Sequence, residues 1–202
     1  REGVPPVLSV LRRPVVAWFF AAVFFTVLAH TSLYTFFSLY LDGSGHGKAT
    51  VGLLWAVSVA VEIAFFWWQG RFFDRLTPHA WLQWAAAASV LRFVLTAALG
   101  AQIAVLVLAQ ALHLLTFAAQ HAACIAIITR HFPGALRGRG QALYTVLGYG
   151  VSGVVGGLAG GWLSTQFGIR AVFWAAVGAA ALGWWCALRS GRADRIARPA
   201  PP

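Results

Sequence analysis

Six long runs of apolar residues divide the chain, and short polar segments separate them. Each run approaches or exceeds about 20 residues, the length that an α-helix needs to cross the hydrocarbon core of a bilayer. Alternating segments typical of a membrane β-barrel are absent, and open strands cannot span lipid. The pattern therefore predicts an all-α membrane protein. Its six transmembrane helices are expected at about 14–41, 49–73, 79–99, 102–131, 139–166 and 171–188.

Composition agrees with this pattern. The chain is 60% hydrophobic and 10% charged, with a mean hydropathy of +0.75, whereas soluble domains carry roughly 25% charged residues. The first run is longer than the apolar core of a signal peptide, so we do not expect it to be cleaved. Cys124 and Cys186 lie in apolar runs and do not resemble a disulfide framework. Because the chain has no Met and starts at Arg1, we expect it to be a piece of a longer protein.

The net charge of +10 reflects membrane topology rather than nucleic-acid binding, because the basic residues lie at the ends of apolar runs. One set of flanks holds twelve of them, and the opposite set holds only Lys48 and Arg170. The positive-inside rule then places both termini in the cytoplasm. Gly45 is expected outside and Gly134 inside. The twelve are Arg1, Arg12, Arg13, Arg71, Arg75, Arg130, Arg137, Arg139, Arg189, Arg192, Arg195 and Arg198.

Four ionisable residues lie inside the predicted spans at similar depth, roughly 10–20 Å below the outer surface at about 1.5 Å per residue. They are His30, Glu62, Arg92 and His113. Such groups are costly in lipid and mark functional sites by default, so we expect them to meet in one polar centre. The alternatives are a purely structural Glu62–Arg92 ion pair and histidines that merely join helices.

Helical phase adds further polar candidates. The fourth span has one polar face, the first span stacks polar residues four apart, and Trp55, Ser58, Glu62 and Gln69 share a face of the second. Trp55 also fits an interfacial anchor. The fourth-span face comprises Gln110, His113, Thr116, Phe117, Gln120, His121 and Cys124, and the first-span stack comprises Thr26, His30, Tyr34 and Ser38.

The fifth span is rich in glycines four residues apart, as in GYGVSGVVGGLAGGWL. Small residues at this spacing let helix backbones approach closely. The span is expected either to pack tightly or to slide against a neighbour.

With these features the chain resembles the C-terminal half of a major facilitator superfamily transporter, in which two six-helix halves surround a cavity. GRFFDR (70–75) is similar to the G-x-x-x-D-R-x-G loop of that family, although Leu76-Thr77-Pro78 replaces the usual glycine and basic pair. VAVEIAFF, SVLRFVLTAA and AQALHLLTFAAQHAA resemble the oligosaccharide/proton symporter branch. LAHTSLYTFFSLYL and the H-x-x-T-F-x-x-x-H pattern are closest to bacterial phenylpropionate permeases.

The resemblance implies proton-coupled symport of a small organic solute, such as an aromatic acid, nucleoside or sugar, by alternating access. Proton coupling would fall to Glu62, Arg92 and His113. The related branch has a second glutamate where Thr116 stands here, so its assignment of the proton site does not transfer directly. Within this half Glu62 is the expected proton acceptor, and a carboxylate of the missing N-terminal half is the alternative. Solute binding is expected at His30, Tyr34, Trp55, Gln110, Thr116, Phe117 and His121, and gating at Gly70, Arg71, Asp74 and Arg75.

The resemblance also implies the setting. Residues 1–13 would be a cytoplasmic linker from a missing N-terminal six-helix half, 14–188 the six-helix domain, and 189–202 a disordered basic cytoplasmic tail. The expected location is the bacterial inner membrane, and the expected partners are a solute, protons and the lipid bilayer. No cofactor, metal site or nucleic-acid partner is predicted.

Two other functions remain open from the residues alone. His30, His113 and His121 are candidate axial ligands for haem in an electron-transfer protein, although haem would leave Glu62 and Arg92 unexplained. A non-transporting membrane scaffold is the other, and buried charge disfavours it. An enzyme is not indicated, because the chain has no recognisable catalytic loop or cofactor motif.

Overall fold

The computed structural model of the protein describes residues 6–197. Over this range the chain is helical with no strands, and six helices have the length and apolarity to cross a membrane. The predicted fold class is therefore confirmed. A short helix, α1 (Val7–Leu11), precedes the six long ones. These are α2 (Pro14–Gly43), α3 (Lys48–Arg71), α4 (Pro78–Leu99), α5 (Ile103–His131), α6 (Gly134–Phe167) and α7 (Ile169–Ala197).

Local sequence explains where several of the long helices begin and end. Pro14 and Pro78 occupy first-turn positions of α2 and α4, where the missing proline N–H has no intrahelical partner to lose. At the start of α4 the backbone N–H of Ala80 donates to the Thr77 hydroxyl at 3.2 Å. Gly168, with φ of +82°, lets the chain reverse between α6 and α7 in one residue.

The last helix corrects the expectation of a disordered tail after residue 188. α7 continues to Ala197 because this segment has partners in the bundle. The Ser190 hydroxyl donates to the backbone oxygen of Val15 at 2.8 Å, and buried Asp194 pairs with Arg130 at 3.1 Å. The predicted linker likewise contains α1. Residues 1–5 and 198–202 lie outside the described residues.

Helix packing is centred on α2, α4 and α7. α7 lies along both α2 and α4, α5 packs against α3 and α4, and α6 packs against α2. One glycine stripe of α6 faces α2 so closely that an added Cβ would overlap an α2 side chain. A second stripe, Gly153, Gly157 and Gly161, would meet nothing within 4 Å. The first stripe, which packs against α2, consists of Gly148, Gly156 and Gly160.

The bundle interior has two apolar clusters along its length. The cluster nearer residues 6 and 197, the two ends of the described range, includes Phe19, Phe20 and Phe132. The cluster nearer the opposite end includes Phe37 and Phe93. Between them, the same helices place buried polar side chains at intermediate height. This layer contains Thr26, His30, Thr31, Ser89, Arg92, Gln110, His113, Thr116 and Gln120.

The charge asymmetry predicts which end of the bundle is cytoplasmic. Single cysteines are best placed at exposed Ser44 and Ala135, since neighbouring Gly45 and Gly134 have positive φ angles that a cysteine would strain. An impermeant maleimide applied to intact cells should label Ser44→Cys but not Ala135→Cys. The parent protein is the control, because Cys124 and Cys186 are buried. The reversed labelling pattern would contradict the orientation.

Candidate functional site

A fully buried guanidinium, that of Arg92 on α4, organises the polar layer. Its Nη1 lies 2.9 Å from His113 Nδ1 and donates to Thr116 Oγ1 at 2.8 Å. Its Nη2 donates to Gln110 Oε1 at 2.8 Å. All three partners belong to α5. A charge inside a membrane bundle needs such hydrogen bonds, so Arg92 dictates how α4 and α5 align.

The contact with Arg92 assigns the tautomer of His113. A guanidinium only donates hydrogen bonds, so Nδ1 of His113 accepts and the ring proton of the neutral imidazole sits on Nε2. That nitrogen lies 3.5 Å from Oε2 of Glu62 on α3. The neutral ring thus links the cation to the carboxylate. A second proton on Nδ1 would face the guanidinium and break the contact.

Glu62 and Arg92 do not form the direct ion pair considered above within the described residues, because His113 lies between them. Their environments also differ. The Glu62 side chain is 27% exposed, whereas Arg92 is fully buried. Glu62 therefore lies at the surface of the six-helix bundle, far from either end of α3. A carboxylate at that depth requires water or protein beside it.

Ser58 extends the network and was not among the predicted site residues. It lies one turn before Glu62 on α3, and its hydroxyl donates to Gln110 Oε1 at 2.5 Å. Gln110 Oε1 thus accepts from both Ser58 and Arg92. The i, i+4 spacing of Ser58 and Glu62 was the available signal. Gln110 and Thr116, expected at the solute, serve as partners of Arg92.

The middle of α5 is a π-helical turn, Leu114–Ala119, a feature frequent at functional sites. Three rings of this region stack along the helix. His113 and Phe117 have centroids 4.9 Å apart with planes 5° from parallel. Phe117 and His121 follow at 6.2 Å and 14°. The wider turn thus aligns side chains four residues apart into one ladder.

A narrow recess lies beside this ladder, between α2, α5 and α6. His30 Nδ1 donates to the backbone oxygen of Thr26 at 2.8 Å, which leaves Nε2 as an acceptor. Neither this nitrogen nor Gln120 Oε1 has a hydrogen-bond partner among the described residues, although both are buried. Two such acceptors suit a ligand that carries hydrogen-bond donors. The lining is Val27, His30, Tyr34, Thr116, Phe117, Gln120, His121 and Tyr149.

Two further aromatic contacts border the recess. Tyr34 on α2 stacks on Trp55 of α3, with centroids 6.2 Å apart and planes 19° from parallel. On the other side, His121 Nδ1 lies 3.2 Å from the Tyr144 hydroxyl, which lies 3.1 Å from that of Tyr149. Sequence reasoning missed both tyrosines of α6, because the glycine pattern was the only periodic signal there.

The GRFFDR loop lies apart from this centre. Asp74 is exposed in a 3₁₀ turn, Phe73–Arg75, and forms no ion pair within residues 6–197. The cap of α4 comes instead from Thr77. Trp81 holds the loop through its Nε1, which donates to the Phe73 oxygen at 2.8 Å. Gating by Gly70, Arg71, Asp74 and Arg75 stays a prediction.

Comparison with known families supplies the assignment that the geometry alone does not. The model of the MFS_1 like family matches residues 5–175. The chain belongs to this family. No curated protein and no solved structure matches it significantly. Membership in the MFS_1 like family indicates a multi-pass membrane protein of the transporter class.

The hydrogen bond from Arg92 to Thr116 should be measurable as stability. Thr116→Val keeps the side-chain shape and removes an acceptor of a charged donor, a loss of roughly 1.5–3 kcal/mol. Its melting temperature in detergent should fall by several degrees. Thr165→Val is the matched control, because exposed Thr165 bonds only within its own helix. Equal melting temperatures for the two variants would contradict the network.

Proposed function

We propose that this MFS_1-like protein is one six-helix half of a proton-coupled symporter for a small aromatic solute. The observation that carries the proposal is the chain Glu62–His113–Arg92, in which one neutral imidazole joins a semi-exposed carboxylate to a buried cation. Proton coupling needs a group that gains and loses a proton as the solute site changes. Glu62 meets this need because it is the only carboxylate deep within the spans.

The roles of the three residues follow from their contacts. Arg92 keeps the acceptor nitrogen of His113 in place, and this orients Nε2–H towards Glu62. A deprotonated Glu62 attracts that N–H, whereas a protonated Glu62 is neutral and releases it. Motion of α3 relative to α5 would change the Glu62–His113 distance and hence the stability of each form. His113 therefore couples the protonation of Glu62 to the solute site while remaining a neutral imidazole.

A second six-helix half would complete the cavity. Two helices, α3 and α6, bury only 17% of their most apolar windows in this bundle, against 67% for α2. α3 also carries semi-exposed Glu62, which lipid cannot solvate. These features support a partner half and a water-filled cavity on this face. We further propose cytoplasmic termini in the bacterial inner membrane, from the charge asymmetry.

The side chains that line the recess favour a solute with an aromatic ring and a hydrogen-bond donor, and the recess itself, about 10 Å³ here, would have to widen to enclose the ring. Phe117 and His121, stacked on one another, line the recess with aromatic rings, and the two acceptors without a partner among the described residues, His30 Nε2 and Gln120 Oε1, require donors. The cation of Arg92 favours an anionic solute through space. A hydroxylated aromatic acid combines all three properties, whereas a sugar lacks the aromatic ring.

The haem alternative fits less well. Both nitrogens of His113 face other side chains, Arg92 and Glu62, and the Nδ1 of His30 donates to Thr26. No observation favours a scaffold role for the chain.

Glu62→Gln tests the coupling role in the full-length protein. A glutamine keeps the volume and cannot exchange a proton, so a proton gradient should no longer drive accumulation, and internal solute should reach only the external concentration. Downhill exchange should persist. Asp42→Asn, which neutralises an exposed carboxylate, should accumulate solute normally. Gradient-driven accumulation by Glu62→Gln with normal pH dependence would assign the proton to another group.

The recess predicts solute preference. Hydroxylated 3-phenylpropionate should bind the full-length protein roughly tenfold more tightly than 3-phenylpropionate, since one hydrogen bond to an unpaired acceptor is worth about that factor. Gln120→Leu should abolish this difference. Gln166→Leu, an exposed site at the end of α6, should preserve it. Equal affinities for both solutes in the unmodified protein would contradict recognition through these acceptors.

A further inference from the structure

A second polar cluster lies at the end of the bundle that carries both described termini, away from the proton and solute site. It brings together His79 at the start of α4, His131 at the end of α5 and Asp194 in the last turns of α7. One ligand atom from each residue lies within 4.8 Å of the other two. His79 and Asp194 are buried, at 4% and 3% exposure, and His131 is partly buried.

The three side chains have the orientation of a ligand set. His79 Nδ1 lies 3.5 Å from Asp194 Oδ2. The rings of His79 and His131 meet edge to face, with centroids 6.3 Å apart and an angle of 79°, and one nitrogen of each lies within 4.8 Å of a carboxylate oxygen of Asp194. Two imidazole nitrogens and one carboxylate oxygen form a donor set that suits zinc and its neighbours, not magnesium or calcium.

We propose that His79, His131 and Asp194 bind a divalent transition-metal ion of the zinc type. In a tetrahedral site with Zn–N distances of about 2.0–2.1 Å, ligand atoms lie roughly 3.4 Å apart. The separations here, at most 4.8 Å, therefore need to shrink by up to about 1.4 Å when the ion binds. Three protein ligands leave the fourth position for water or an exogenous ligand.

Arg130 is compatible with this site. Its Nη1 lies 3.1 Å from Oδ1 of Asp194 and 3.5 Å from Oδ2. The hydrogen bond from Arg130 goes to Oδ2, the oxygen that also faces His79, and Oδ1 forms the shorter ion-pair contact with the same guanidinium. A hydrogen bond to a metal-binding carboxylate is common and orients it. The Arg130 side chain is 48% exposed, so solvent screens its repulsion with the ion.

The ion would fasten the ends of three helices, α4, α5 and α7. Because all three belong to one bundle, its direct effect is to stabilise that bundle. His79 also follows the GRFFDR loop closely, so the ion would fix the helix that leaves this loop. The proposal does not depend on the transported solute or on proton coupling. Sequence reasoning found no metal site, because the ligands are 52 and 63 residues apart and none lies in a recognised spacing.

The test uses the full-length protein carrying an affinity tag without histidines. The protein is stripped with EDTA, reloaded with Zn²⁺ and desalted, and its metal content and melting temperature are measured. One zinc per chain and a rise in Tm of about 5 °C are expected. Mg²⁺ should produce neither effect. Absence of retained zinc, or the same Tm shift with Mg²⁺, would overturn the proposal.

Three variants assign the ligands. His131→Gln should lose the zinc and the Tm rise, whereas His131→Cys, which supplies a new zinc ligand at the same place, should keep both. His46→Gln removes a histidine from the opposite end of the bundle and should behave as the parent. Because His131 is partly exposed, its replacement leaves the core intact, and gel filtration before reloading verifies this. Full zinc retention by His131→Gln would overturn the assignment.

Discussion

The buried guanidinium of Arg92 is the constraint on which the polar centre depends. It is fully enclosed by the bundle, and its charge is tolerable there only because three acceptors of α5 surround it. Those hydrogen bonds align α4 with α5, select the tautomer of His113, and thereby aim a ring N–H at Glu62. Without this cation, neither the alignment of α4 with α5 nor the tautomer of His113 would be fixed.

The rest of the fold isolates this centre. Apolar clusters above and below it contain large aromatic and aliphatic side chains, and the glycine stripe of α6 holds that helix against α2. The polar layer around Arg92 opens on the face where Glu62, Phe117 and His121 are partly exposed. A solute that enters from this face would meet stacked rings and acceptors without a partner among the described residues. Beside it, the imidazole of His113 joins the Glu62 carboxylate to the Arg92 guanidinium.

Much of this could be predicted from the sequence, and the failures have physical causes. The six spans and the meeting of Glu62, Arg92 and His113 follow from hydropathy and from depth, both of which a helix preserves. The partners of Arg92 could not be separated from solute ligands, because Gln110 and Thr116 share one helical face with both. The π turn at Leu114–Ala119 has no recognised sequence signal. The extension of α7 depends on long-range contacts of Ser190 and Asp194.

Proton coupling through Glu62 requires that its carboxyl group change protonation when the solute site is occupied. Infrared difference spectroscopy of the purified full-length protein measures this directly, since the carboxylic C=O stretch is visible only in the protonated acid. Addition of an aromatic acid should produce a carboxyl difference band that is absent in Glu62→Gln and retained in Asp42→Asn. A difference spectrum without any Glu62-dependent carboxyl band would show that Glu62 does not exchange the coupled proton.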